Sequence, residues 1–461
     1  MKTLADPGHA LSAELDAIRV QYQVPDAFPP EVVAAAGAAA QRVPAEHIDR
    51  TAEHFVTLDP ASSKDLDQAF TIERSGSDLL LHYAIADVGW FVEDGDAIDA
   101  EAWRRGTTLY LPDGKAGLYP PVLSEGAASL LPDGPRPAVV FTVRVAGDGA
   151  VRLDGAERAI IHSRAKLAYD KVADADLPPD FGELARRIEA AETRRGAARV
   201  DPPEQEVEPR GDGRYALHFR PRFAPETRNA SLSLACNMAV ADALLAHRTG
   251  LFRVMADPDA RAIKRLRLTA AAFDLAWPTG TSLADFSHGL DASDPKQAGF
   301  MLAVRRAGTG ASYAPFRDGV VPRHSAMAAT YAHATAPLRR LADRYVVGAA
   351  LAIANGLPVP EKVEAAFAKL PKAMARADAL SGQIERAVID LAEAAMLKGR
   401  EGEQFAAMVT DVDERGVRMQ LCNLPVVARI VAHHVAPGDG LTVQLVSADP
   451  GTRKIEFQRT R

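Results

Sequence analysis

The sequence predicts an α+β protein carrying a small five-stranded β-barrel of the oligonucleotide-binding type at its C-terminus. Three observations lead there. Alternating strand patterns fill the stretch from about Thr51 to Ile161, helix-forming runs dominate beyond Ala224, and the last 60 or so residues return to short alternating strands. At ~100 to 200 residues per domain, 461 residues give two to four domains with ample core. The expected units are a helical segment at 1–45, a mixed-sheet body with surrounding helices at 46–400 and the barrel at 401–461.

Each element follows from its local pattern. In the first 45 residues AELDAIRVQYQV is amphipathic, and FPPEVVAAAGAAAQRV sets Pro30 near a helix start ahead of strong helix formers. FVTLD, AFTIER and LLLHYAIADV then predict strands, followed by AVVFTVRVAGDGAVRLDGAERAII, whose GDG is a hairpin turn. Pro-rich DLPPD at 176–180 and DPPEQEVEPRGDGR at 201–214 bracket a charged helix and are expected as excursions from the sheet. NASLSLACNMAVADALLAHR and EKVEAAFAKLPKAMARADALSGQIERAVIDLAEAAMLKG predict long helices. FAAMVTDVDERGVRMQL, VVARIVAHHV and LTVQLVSADPGTRKIEFQ supply about five short strands; periodicity alone leaves any other small β domain open.

Composition narrows the function classes. With 47% hydrophobic and 25% charged residues the chain is that of a globular protein. Cys236 and Cys422 form neither a disulfide framework nor a zinc knuckle and are expected as plain buried thiols in a reducing compartment. The start, MKTLADPGHALSAELD, has acids and a proline where a signal peptide needs an apolar core, and no apolar run nears the ~18 to 20 residues of a membrane span, so a cytoplasmic protein is expected. The net charge of −7 leans away from nucleic acid, yet only 12 of the 54 basic residues are lysine. Between Ala303 and Asp343, Arg305, Arg306, Arg317, Arg323, Arg339 and Arg340 face only Asp318 and Asp343, a basic segment inside an acidic protein.

Two segments carry chemistry. LDPASSKDLDQAF places Asp59, Asp65 and Asp67 within nine residues where an apolar strand leaves the core. A solvated turn is the plain reading, but Asp65 and Asp67 are two apart in extended chain and so project to one side. Like charges so close call for a hard divalent cation with oxygen ligands, magnesium above all; the spacing excludes an EF-hand. Asp-rich magnesium sites activate water for in-line phosphoryl displacement, which makes phosphodiester hydrolysis the leading chemistry. YAHATAPLRRLADRY joins Tyr331, His333, Thr335, Pro337, Arg339, Arg340 and Asp343. Its plain reading is a turn opening a helix with solvated arginines and a packed histidine, but arginine beside metal-bound phosphate supplies charge stabilisation that a metal alone leaves incomplete.

In that order the two segments resemble the ribonuclease II and ribonuclease R family of RNB-domain exoribonucleases. YAIADVGWFV with Asp87, RRGTTLYLPDG with Tyr110, YPPVLSEGAASLLP, SRAKLAYDKV with Tyr169 and ACNMAVADALL with Asn237 extend the resemblance over about Thr51 to Met396. The resemblance implies an RNB-type catalytic domain with an OB-type barrel, in a short form lacking N-terminal cold-shock domains. It implies 3′ to 5′ hydrolysis of single-stranded RNA to nucleoside 5′-monophosphates with one or two Mg2+ ions, Mn2+ being a substitute. Asp59, Asp65 and Asp67 would hold the metal, with Asp67 the least replaceable, and Arg339 would contact the scissile phosphate. Tyr110 would stack on the terminal base, a ~1 to 3 kcal/mol contact. Tyr169 would line the pocket, and Glu385, Arg340 and His333 would complete the RNA contacts.

The sequence departs from the family where a fourth aspartate is usual, with Gln68 as an uncharged metal ligand, and it has Met255, Ala230 and Ser231 at a usual histidine and acidic pair. The alternative function is therefore a catalytically weak or inactive RNA-binding protein on the same fold. A DNA-directed version of the chemistry is the third possibility, separable by a contact at the 2′-hydroxyl. The barrel has few aromatics, chiefly Phe405 and Phe457 with His433 and His434, so its stacking capacity is modest. Neither a membrane nor a protein partner is expected, and the protein is expected to be a monomer.

Overall fold

A five-stranded mixed sheet stands at the centre of the computed structural model, which describes residues 2–4, 10–197, 200, 204–211, 214–220, 222–308, 310–414 and 416–460. Its spatial order is Ile48–Asp49, Val151–Ile161, Arg136–Val145, Asp78–Ala86 and Gln68–Ser75. The first pair is parallel and the other three are antiparallel. The expected GDG turn joins the two longest strands. Gly149 there has φ +76°, and a Cβ would lie 2.2 Å from the Arg187 carbonyl oxygen, so only glycine fits.

The helix Ala224–Ala246 crosses the sheet against Val151–Ile161, with Leu232, Ala235, Cys236, Val240, Ala241 and Leu244 out of contact with water. By length and composition it could cross a membrane, contrary to the expectation that no run approached that length. It is the core helix instead, with 61% of its apolar window buried within the protein. The shorter helix Leu341–Ala354 joins the same core.

The C-terminal five-stranded antiparallel sheet runs Val427–Ile430, Gly416–Leu421, Gln404–Asp413, Gly440–Asp449, Lys454–Arg459, and its two edge strands approach one another to close most of a barrel. Strand residues alternate inward and outward, with Val417, Met419 and Leu421 buried. Phe405 and Phe457 pack edge to face; Phe457 is buried in the barrel's core, and the half-buried Phe405 lies beneath Arg400. The single helix Glu361–Leu397 runs through Pro371 and is the spine between body and barrel. A third core, built on Leu266, Ala270, Phe273, Phe300 and Val304, holds the helices Ala260–Ala272 and Pro295–Ala307 together and touches the barrel at Met408.

Two expectations are corrected, and a third gains its form. The N-terminal segment is not purely helical: besides helices Ala10–Gln21 and Pro30–Ala39, strand Lys2–Leu4 pairs with Arg214–Arg220. The stretch expected as an excursion from the sheet does leave it, as the hairpin Glu204–Gly211/Arg214–Arg220 of a separate three-stranded sheet that receives that strand; residues 201–203 and 212–213 of it lie outside the described ones. Cys236 is buried as expected, but Cys422 is exposed because it follows the last inward residue of its strand.

Candidate active site

Strand Thr57–Asp59 pairs in parallel with Lys166–Ala168 and delivers Asp59 to the rim of a cavity of about 590 Å³. The chain then loops back to the sheet at Gln68, and the loop is pinned from within. Leu66 is fully buried, its N–H donates to Ser129 Oγ at 2.9 Å, and Ser129 Oγ donates to the Lys64 carbonyl at 2.7 Å. Leu66 divides Asp65 from Asp67. Asp67 is 5% exposed, and its Oδ1 accepts the Leu338 N–H at 2.7 Å. Asp65 lies against Lys115, whose Nζ is 2.8 Å from Asp65 Oδ1 and 2.9 Å from Glu125 Oε1. Tyr110, 53% exposed, donates weakly to Asp65 Oδ2 at 3.4 Å.

The arginine segment closes the other wall. Ala334 N–H donates to Asn237 Oδ1 at 2.8 Å, and Ala336 N–H donates to Asp343 Oδ1 at 2.8 Å, so the Thr-Ala-Pro turn is held at two points. Arg339 follows the turn and keeps its guanidinium 46% exposed, with Nε 3.5 Å from Asp67 Oδ2. Burial pushes the Asp67 carboxyl up to about 7 against the pull of Arg339 and the Leu338 N–H. Burial does the same to Asp59, also to about 7, with Arg339 pulling down and Asp65 pushing up. Two desolvated carboxyls therefore share one arginine: Asp59 lines the cavity with Arg339, and Asp67 lies beside Arg339 outside that lining.

The structure brings Asp59, Asp65, Asp67, Arg339, Tyr110 and Tyr169 into this region. Tyr169 lines the cavity, and its hydroxyl accepts from Asn229 Nδ2 at 3.1 Å; burial pushes the phenol up to about 12. Other expected members are engaged elsewhere. Gln68 Oε1 accepts from both the Tyr83 hydroxyl and Ser233 Oγ, so the lone pairs expected to reach a metal are already used. Arg340 lines the cavity but is tied to Asp343 through Nε at 2.9 Å and Nη2 at 2.7 Å, which fixes the turn. His333 is half-buried between Tyr313 and Tyr331, its Nδ1 is 2.8 Å from the Tyr313 hydroxyl, and desolvation holds it well below the usual histidine range. It packs between the two tyrosines and is not among the residues lining the cavity. Glu385 is exposed on the long helix and is not among the residues lining the cavity.

Two participants escaped the sequence reading. Lys115 is the strand partner of Tyr110 across the Pro-Asp-Gly turn, and counting across that turn would have placed its ammonium beside the tyrosine. Asn229 donates through Nδ2 to the Leu58 carbonyl at 3.1 Å as well as to Tyr169, which turns its Oδ1 the other way, buried and without a hydrogen-bond partner. No sequence signal marks it, since it follows Arg228 on a helix of mixed polarity.

The donor set fits a hard cation in part. The Asp59 carboxylate has no hydrogen bond or close ion pair among the described residues and is desolvated, which leaves its oxygens available to a metal. Among the described residues no three His, Cys, Asp or Glu side chains converge as an ion would require. Lys115 and Arg339 stand among the carboxylates instead. Asp59 and Asp67 are the residues that would hold magnesium, with Asp65 joining them once Lys115 withdraws.

A sheet whose loop carries three acids around one arginine, followed by an OB-type barrel, defines a protein organised like enzymes that act on nucleic-acid backbones. Residues 48–349 match the RNB domain, and residues 403–460 match the RNase II-type exonuclease C-terminal S1 domain. The chain belongs to the RNB-domain family. It is 27% identical to Ribonuclease R of Aquifex aeolicus, over 91% of this chain and 63% of that protein. It is 30% identical to Exoribonuclease 2 of Cronobacter sakazakii, over 83% of this chain and 62% of that one. The chain thus spans a little under two thirds of the length of these curated relatives. The solved structure of Mycoplasma genitalium RNase R in complex with ribose methylated single-stranded RNA superposes with a TM-score of 0.85 at 19% identity, covering 100% of this chain and 79% of that one. Yeast Ssd1, described as a pseudonuclease, superposes with a TM-score of 0.69 at 17% identity over 98% of this chain and 58% of its own.

Proposed function

We propose that the protein is a magnesium-dependent 3′ to 5′ exoribonuclease that hydrolyses single-stranded RNA to nucleoside 5′-monophosphates. The observation that carries this is the pair of desolvated carboxylates, Asp59 and Asp67, that share the exposed side chain of Arg339, with Asp59 and Arg339 lining a cavity of about 590 Å³. Magnesium bound there would supply a polarised phosphoryl oxygen and an acidified water. The chain's own residues do the positioning. Arg339 offers its fork to the non-bridging oxygens of the scissile phosphate, and the Leu338 N–H fixes Asp67 so that its second oxygen stays toward the arginine. Tyr110, exposed at the mouth, offers a face to a terminal base. The orphaned Oδ1 of Asn229 supports RNA over DNA, because a ribose 2′-hydroxyl is a donor that would satisfy it beside Asp59.

The test is a ladder from 5′-labelled single-stranded RNA, with magnesium and with chelator, beside a matched DNA oligonucleotide. Stepwise magnesium-dependent shortening of RNA alone is expected, and its absence at every salt concentration sinks the reading. Asn229→Leu should narrow the RNA-to-DNA rate ratio. The second reading, an RNA-binding protein with little or no turnover, draws on Gln68 being saturated by Tyr83 and Ser233 and on Lys115 occupying Asp65. Tight RNA binding without a ladder would select it.

A further inference from the structure

The barrel meets the helical body at a second charged site that the acidic cavity does not use. Arg306 ends helix Pro295–Ala307, Arg386 is exposed on helix Glu361–Leu397, and Arg418 sits in barrel strand Gly416–Leu421. Arg418 stands opposite Asp411 on one neighbouring strand and Arg429 on the other. Among the described residues Asp411 and Asp413 face Arg306, Arg418 and Arg429, while Asp390 and Glu393 lie within electrostatic reach of Arg386. Asp413 is clamped by Arg429 through two contacts of 2.6 Å, and Asp411 Oδ2 lies 3.8 Å from Arg306 Nη1, beyond hydrogen-bond range. Arg306 Nη1 and Arg418 Nε are buried with no hydrogen-bond partner among the described residues, and Arg386 makes no ion pair among them. Burial and the neighbouring Arg418 hold the Arg306 guanidinium down to about 10, while burial, then Arg429 and Arg386, lower Arg418.

Arg306 and Arg418 share one loosely held carboxylate, Asp411, and each keeps a buried unmet N–H, with the exposed Arg386 nearby; these donors are what an anion would relieve. We propose that Arg306, Arg386 and Arg418 form a phosphate-binding site for the backbone of single-stranded RNA at the junction of body and barrel. The proposal rests on the exoribonuclease reading for the identity of its ligand. RNA is favoured over a free anion because the three arginines come from three separate elements along one seam, which suits successive phosphates of a strand. Of the barrel's two phenylalanines Phe457 is turned into the core and Phe405 is half-buried against it beneath Arg400, which leaves the junction charge to offer more than stacking. Arginine's long stem lets Arg306, 27% exposed, turn its unmet N–H out to a phosphate oxygen.

Fluorescence anisotropy of the full chain with a labelled unstructured 20-mer in chelator tests this across a salt series. Arg306→Gln and Arg418→Gln should each weaken binding roughly three- to tenfold and flatten the dependence of log K on log salt by about 0.7. Arg248→Gln, which removes an exposed arginine paired with Asp318, should bind like wild type. Melting separates this role from a structural one. Removing an uncompensated cation should leave Arg306→Gln at least as heat-stable as wild type, whereas weaker binding with a lower Tm makes the residue structural and overturns the proposal. Arg306→Gln, on a helix, carries the test if Arg418→Gln does not fold. Wild-type binding by Arg306→Gln overturns the site while leaving the exoribonuclease reading intact. A wild-type chain that binds no RNA strikes the reading itself. Inorganic phosphate raising the wild-type Tm, with RNA affinity unchanged in the variants, would make this a free-anion site and reject RNA as its occupant.

Discussion

The acidic cavity and the barrel junction are both concentrations of charge, and they are compensated in opposite ways. In the cavity nearly every charge is held by the fold: Asp67 by the Leu338 N–H, Asp65 by Lys115, Arg340 by Asp343. Asp59 and the outer face of Arg339 are the parts left open. At the junction two buried guanidinium N–H groups, on Arg306 and Arg418, go unmet among the described residues. A buried charge that the fold compensates is set for geometry, and one left uncompensated is set for a ligand. The cavity fits a reacting phosphate held in one orientation, and the junction fits a strand that slides.

The sharpest way to break that contrast is Asp67→Asn. The amide oxygen can still accept the Leu338 N–H, so the turn and the fold should survive while the charge facing Arg339 disappears. Cleavage should fall by on the order of 10² to 10³ or more, with RNA binding retained, as single-turnover rates and anisotropy would report. Loss of binding and rate together would mean that Asp67 holds the cavity's shape and has no separate part in the chemistry.

Lys115→Met probes the same side with a smaller effect. Without the ammonium at 2.8 Å, Asp65 Oδ1 becomes available to a hard cation. The magnesium concentration for half-maximal effect should drop by roughly three- to tenfold, read both from cleavage and from the rise in Tm on adding magnesium. An unchanged midpoint in both would show that Asp65 is no part of the cation's surroundings.

How much of this was legible follows the same division. The acids at 59, 65 and 67 and the arginine at 339 lie in short segments whose residue types and spacing carry their chemistry, so they could be read. The barrel could be read because period-two alternation survives in each strand, and the long helix because Pro371 alone does not erase a strong helical pattern. The ties of Arg340 to Asp343 and of His333 to Tyr313 were not legible, because adjacency in sequence does not tell which of two neighbouring arginines is paired within the fold. Lys115, Asn229 and the Arg306–Arg386–Arg418 group were missed for a common reason. Each depends on contacts between distant segments, such as Asn229 with Leu58 or Arg306 with Asp411, that no local pattern encodes. Strand Lys2–Leu4 was lost likewise, its partner lying more than 200 residues away.

A change in stability, with no change in rate, tests how far the charges at the junction are compensated by the fold. Glu393, 3% exposed on the long helix, accepts from Val427 N–H at 2.8 Å and Gln205 Nε2 at 2.6 Å, both at Oε1, and so ties the helix to the barrel and to strand Glu204–Gly211. Burial pushes its carboxyl from 4.5 up to about 7 despite those two donors. An acid whose folded pKa is raised contributes stability that is fully present below its unfolded value and lost as pH rises through the folded one. The window is therefore pH 4.5 to about 7, with a full effect of at most about 3 kcal/mol. Glutamine keeps the doubly accepting oxygen and removes the ionisation. Glu393→Gln should match wild type near pH 4.5 and melt several degrees higher at pH 8, as thermal scans at both pH values would show. A variant less stable than wild type at pH 8 would mean that the ionised carboxylate is held by the surrounding arginines, Arg386 first among them, and that the positive charge at this junction is already in use by the fold.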